Sequence, residues 1–162
     1  ELTGEIVKKR TAQGFSDDSA WARGQAWGLY GYTMMYRMTG EQRYLEQAVK
    51  IAEYILPHLP EDAIPNWDFD ADVQMKDSSA GAIMASAFIE LYGFTQNKEY
   101  LTMAERQLRS LASDAYLAPL GENGYFILKH GVGHLPANTE VDVPLSYGDY
   151  YFVEAAMRYL AL

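Results

Sequence analysis

Trp21, Arg23 and Trp27 stand within one short stretch, SDDSAWARGQAWGLYGY, residues 16–32. Indole faces stack on the apolar faces of sugar rings, and a guanidinium offers a planar fork to a carboxylate. Together they read as a site for an acidic sugar. An alternative of equal weight is a core helix carrying a structural Arg–Asp pair, with Arg23 held by Asp17 or Asp18.

The other polar clusters are weaker. In NWDFDADVQMKDSSAG, Asp68, Asp70 and Asp72 imitate the start of a calcium loop. Val73 then stands where glycine is needed and Ser79 where glutamate is needed, which argues against calcium. Asp77 is better read as a helix N-cap, a role that Ser78 or Ser79 could share. His130 and His134 lie four apart, but in a glycine-rich segment, so they do not share a helix face. Without an HExxH pattern or any cysteine, no metal site is expected. His134 is either a pocket-rim residue or a loop histidine without a role. Tyr147, between Asp142 and Asp149, either faces a pocket or packs. No spacing of carboxylates singles out an acid and a base, so no catalytic residue is assigned.

The elements that would position these residues are helices in pairs. Residues from about Ser19 to Met38 are apolar nearly all round, the mark of a helix buried on every side. Ser16, Asp17 or Asp18 would cap it, and Gly40 would close it in the left-handed conformation. Glu41 to Leu56 is amphipathic, with Tyr44, Leu45, Ala48, Ile51, Ala52 and Ile55 on one face, and Pro57 is expected to end it. The pair recurs as an apolar helix over about Ser78–Phe94 and an amphipathic one over about Lys98–Ala112. A shift of 56 residues puts Tyr36 on Tyr92, Thr39 on Thr95, Tyr44 on Tyr100 and Ala48 on Ala104. A fifth helix, about Gly148–Leu160, is a third inner helix without an outer partner. A short hairpin is expected over Tyr125–Lys129, with Gly131 and Gly133 turning.

The fold class is therefore all-α: helical hairpins of an α/α toroid, too few to close a ring. Short connectors join inner to outer helices, and long ones, about 57–77 and 115–146, lead back. The long loops and the inner-helix N-termini thus share one end. Free N–H groups and the helix dipole would favour an anion there.

Composition narrows the partners. Apolar residues make up 49% and aromatic residues 14%, which is a globular and not a disordered composition. Twenty-two acidic against 13 basic residues, net −9, argue against nucleic acid and against an anionic membrane surface. No apolar run reaches transmembrane length. The start, ELTGEIVKKR, is neither a signal peptide nor an initiator methionine, which leaves a processed or truncated start open.

The stretch SAWARGQAWGLYGY resembles the unsaturated glucuronyl hydrolases, glycoside hydrolase family 88. WDFDAD, KDSSAGAIMASAFIEL and EVDVPLSYGDYYFVEA fit the same family in the same order, and the resemblance runs from about Thr11 to the end. It implies a six-hairpin α/α barrel, of which residues 1–162 would be the C-terminal part, about half, of one catalytic domain. It implies removal of an unsaturated uronic acid from oligosaccharides made by polysaccharide lyases. A carboxylic acid protonates the C4–C5 double bond, water adds at C5, and the hemiketal breaks down without metal or organic cofactor. By the same resemblance Gln13, Trp21, Arg23 and Trp27 match substrate-contacting positions, and Tyr147 matches one in the final motif.

The family's two catalytic aspartates and a further pocket histidine lie upstream, in hairpins this chain lacks. The chain is thus expected to supply substrate-binding wall, to be inactive alone, and to need an unsaturated uronic-acid oligosaccharide and the missing N-terminal half as partners. Competing readings are a non-catalytic carbohydrate-binding helical fragment and the related unsaturated rhamnogalacturonyl hydrolases, although RGQAW fits the glucuronyl group better. A barrel-type sugar epimerase or isomerase would rely on pocket histidines, and only three histidines occur. The expected compartment is the cytoplasm, with the periplasm as the alternative.

Overall fold

The computed structural model describes residues 3–162. Helices α1 (Ala22–Thr39), α2 (Gln42–His58), α3 (Ser78–Thr95), α4 (Lys98–Leu111) and α5 (Ser146–Leu160) alternate between an inner and an outer layer. The 56-residue repeat is literal: α1 and α3 begin and end 56 residues apart, and α2 and α4 begin 56 apart. α3 stands in the middle with α1 and α5 on its two sides, while α2 backs α1 and α4 backs α3.

Why α3 takes the centre is visible in its composition. Every residue from Ser78 to Ile89 is buried, and most of them are alanine, glycine or serine, so neighbouring backbones come close. Gly148 makes this concrete on α5, where a β-carbon would lie 3.3 Å from the Ser79 β-carbon. Phe88, Ile83, Met84 and Leu91 fill the space behind, against Ala48, Ala52 and Ile55 of α2 and Tyr100, Met103 and Ala104 of α4. Burying side chains of this size contributes about 1.5–3 kcal/mol each.

Three local expectations are corrected. α1 starts at Ala22, with Trp21 as an N-cap that makes no side-chain cap bond. Ser16, Asp17 and Asp18 do not cap it: Asp17 accepts from the Thr11 amide at 2.8 Å, and the Ala22 amide donates instead to the Trp67 carbonyl at 3.0 Å. α2 runs through Pro57 to His58. His58 holds that last turn, with its ring stacked 4.4 Å from Tyr54 and Nδ1 2.6 Å from the Tyr54 carbonyl.

The strands lie further along than expected. β1 (Gly131–His134) pairs antiparallel with β2 (Thr139–Val143). Residues 127–128 are engaged elsewhere, their amides donating to Asp149 at 2.9 Å each. Gly40 does close α1 in the left-handed conformation, at φ 70°.

Candidate functional site

The site is built where the first turns of α1, α3 and α5 meet the two long loops, 59–77 and 112–145. Asp77 caps α3, its Oδ1 accepting from the amides of Ser79 at 3.1 Å and Ala80 at 3.4 Å and from the Ser79 hydroxyl at 2.6 Å. Its other oxygen pairs with Arg23 Nη1 at 3.0 Å. The structural Arg–Asp pair therefore exists, and its acid is Asp77, not Asp17 or Asp18.

Arg23 is 3% exposed. Beyond Asp77, its guanidinium donates to the Val132 carbonyl, the Gly133 carbonyl at 2.6 Å and Gln13 Oε1 at 3.1 Å. It thus ties the start of α1 to the cap of α3, the β1 backbone and the entry segment. Full burial pushes the Asp77 carboxyl up, and Arg23, the Ser79 hydroxyl and the amides of Val132 and Ala80 pull against it.

Around this charge the aromatic rings form a wall. The Arg23 guanidinium lies 4.9 Å from the centre of the Trp21 ring and 5.3 Å from that of Tyr147. Tyr147 lies 6.3 Å from Trp27, and Trp27 meets Tyr151 edge-on at 5.2 Å. Trp21 folds back over its own first turn, where a β-carbon on Gly24 would sit 2.8 Å from the indole. Its indole N–H is buried and has no hydrogen-bond partner among the described residues. Trp27 continues into a groove of about 250 Å³ lined also by Gly28, Gly31, Tyr32 and Met35. Burial pushes the Tyr147 hydroxyl up against the pull of Arg23, so it stays a neutral donor at physiological pH.

The structure thus brings Gln13, Trp21, Arg23, Trp27 and Tyr147 to one end of the inner helices. Gln13 is fixed at both ends, its side-chain oxygen on Arg23 and its carbonyl accepting from the Trp67 indole at 2.9 Å. The expectation of free helix N-termini is corrected for two of the three. The amide of Ala22 is taken by Trp67, and those of Ser78, Ser79 and Ala80 by the His130 carbonyl and Asp77.

The remaining candidates have structural partners. Asp68 accepts from the Phe15 amide at 2.9 Å and the Ser19 hydroxyl at 2.8 Å, and Asp70 from the Ala20 amide at 2.7 Å. These aspartates pin the entry to α1. His134 Nε2 lies 2.9 Å from the Ala12 carbonyl, and His130 pairs with Asp142 at 2.6 Å. Among the described residues no group of three His, Cys, Asp or Glu could hold a metal ion. Sequence reasoning missed the Asp77 partner and the β1 carbonyls; these lie 54 and 109–110 residues from Arg23, beyond any local pattern.

Helical hairpins whose inner helices open onto one loop-bearing rim of tilted and edge-on aromatics define a segment of an α/α barrel. No family model matches the chain. An unsaturated glucuronyl hydrolase of Formosa agariphila is 48% identical over 162 residues, 97% of this chain and 40% of that protein. An unsaturated chondroitin disaccharide hydrolase of Streptococcus pyogenes is 38% identical, over 97% of this chain and 41% of that protein. A crystal structure of an unsaturated glucuronyl hydrolase specific for heparin superimposes with a TM-score of 0.95 at 48% identity, covering 98% of this chain and 44% of that one. Over nearly its whole length the chain is similar to one part of the unsaturated glucuronyl hydrolases. It spans about 40% of the length of the curated relatives it matches.

Proposed function

We propose that the chain is the C-terminal, substrate-binding part of a glycoside hydrolase that removes an unsaturated uronic acid from lyase-generated oligosaccharides. The reaction is hydration of the C4–C5 double bond. The observation that carries this reading is the run Trp21–Arg23–Tyr147–Trp27, a buried cation between aromatic faces at the rim of the inner helices. The indoles and the phenol offer faces to the sugar ring, and the Tyr147 hydroxyl offers a donor to its oxygens. Arg23 acts differently from a free carboxylate fork. Its terminal nitrogens are bonded within the protein, so it holds the wall in shape.

Proton transfer to the double bond is assigned to the part of the barrel outside this chain. The aspartates near the rim each have another role: Asp68, Asp70 and Asp149 hold backbone amides, and Asp77 holds Arg23 and a helix cap. The purified chain is expected to bind an unsaturated glucuronyl disaccharide by calorimetry, and to bind it about tenfold more weakly as Trp27→Ala. It is expected to leave the absorbance of the double bond unchanged over hours. Loss of that absorbance with this chain as the sole protein would overturn the division of labour.

A further inference from the structure

Glu154, on α5, is bonded to both other inner helices. Its Oε1 accepts from the Tyr30 hydroxyl of α1 at 3.1 Å, and its Oε2 accepts from the Ser86 hydroxyl of α3. Arg158, one turn on, approaches Oε2 at 3.6 Å and lays its guanidinium 5.5 Å from the centre of the Tyr30 ring. Arg158 is itself held by Glu90 of α3 at 2.7 Å, and Glu90 also takes Arg37 of α1 at 2.8 Å. Tyr30 is therefore fixed both at its hydroxyl and at its face. Burial first, and then the Glu154 charge, pushes that hydroxyl up to about 12, so it remains a donor at physiological pH.

Toward the rim, the fixed Tyr30 ring meets Tyr151 edge-on at 5.0 Å, and Tyr151 meets Trp27 edge-on at 5.2 Å. Edge-to-face pairs prefer particular ring orientations, so each ring constrains the next. We infer that Glu154 is a positioning residue: through Tyr30 and Tyr151 it sets the plane of the Trp27 indole, the surface offered to the sugar. A group needed only to hold helices together could be replaced by well-packed apolar side chains. Glu154 divides its two oxygens between α1 and α3, and the ring between them is the first of the three leading to the site. The affinity consequence rests on the sugar-binding reading above; the orientation of Trp27 does not.

Two variants and two measurements test this. Glu154→Gln keeps the shape and replaces one acceptor oxygen with a donor, and Tyr30→Phe removes only the hydroxyl. Protein labelled with fluorotryptophan carries three reporters, one for each tryptophan, and Trp27→Phe identifies the relevant fluorine resonance. Both variants are expected to shift the Trp27 resonance and leave that of Trp67, which packs in a separate cluster with Ala71 and Val132. An unmoved Trp27 resonance, or equal displacement of all three, overturns the inference. Calorimetry with the unsaturated glucuronyl disaccharide is expected to show about fivefold weaker binding for either variant, and no added loss from Glu154→Gln in a Trp27→Leu background. Fully additive losses would overturn it as well. If the unaltered chain shows no affinity for the disaccharide, the sugar reading fails, and the fluorine spectra still decide the positioning role.

Discussion

Arg23 reads, in the sequence, equally as a group awaiting a ligand and as one half of a structural Arg–Asp pair, and in the structure it is a rivet. Its charge is closed off by Asp77 and three carbonyl or amide oxygens, so its removal strands a buried carboxylate. Arg23→Leu is expected to cost about 3–5 kcal/mol, read as a shift in the urea midpoint. Gly24→Ala should behave in the opposite sense. Alanine favours the helix by up to about 1 kcal/mol, but its β-carbon displaces the Trp21 indole. Stability should hold or rise while sugar affinity falls, a split that separates the ring's placement from the fold. Asp62 supplies a pH dependence. Burial acts to raise its pKa, but hydrogen bonds from Lys76 and Tyr116 prevail and lower it below 3.8. A depressed carboxyl stabilises above its ordinary value and loses that contribution as pH falls through the folded value. The loop bearing Asp62 should therefore weaken below pH 3.8, and Asp62→Asn should flatten that limb of the pH–stability curve. Residue types at the rim were legible from the sequence. Which of them are occupied was not, because the occupants arrive from distant loops.

The helices were legible because their signals are local. Apolar periodicity, Asp77 as a cap and Gly40 as a stop belong to a single turn or its neighbour, and the observed bounds follow them closely. The hairpin was misplaced for the complementary reason. Gly131 and Gly133 read as turn residues, whereas here they lie within β1 because Leu145 and Glu140 crowd the places where β-carbons would be. Close approach, not bending, is what these glycines permit. The same logic applies between helices. Gly148→Val is expected to wedge α5 away from Ser79 and cost about 1–3 kcal/mol by overpacking, with a matching fall in thermal midpoint. At the hydrophobic centre, Phe88→Ala should cost about 3–5 kcal/mol, because the ring is fully buried between layers.

Taken together, the five helices make an arc with two bare flanks. On α5, Tyr150, Val153, Met157 and Leu160 form an exposed apolar stripe at helical spacing, and on α1 Tyr32 and Met38 are exposed. Runs of this kind are unusual on an isolated soluble surface. The chain is expected to enhance the emission of a hydrophobic dye, and Met157→Glu should reduce that emission while changing stability by less than about 0.5 kcal/mol. The 56-residue repeat made this arc legible in the sequence; its extent is set against relatives more than twice as long.

The connectors Gly40–Glu41 and Gln96–Asn97 are only two residues long and sit at the end opposite the aromatic wall, with Gly40 and Gln96 both left-handed. That asymmetry gives the molecule a quiet underside. A reporter dye or an immobilising linker attached there would report on, or tether, the protein without shadowing the aromatic rim proposed above to receive a saccharide.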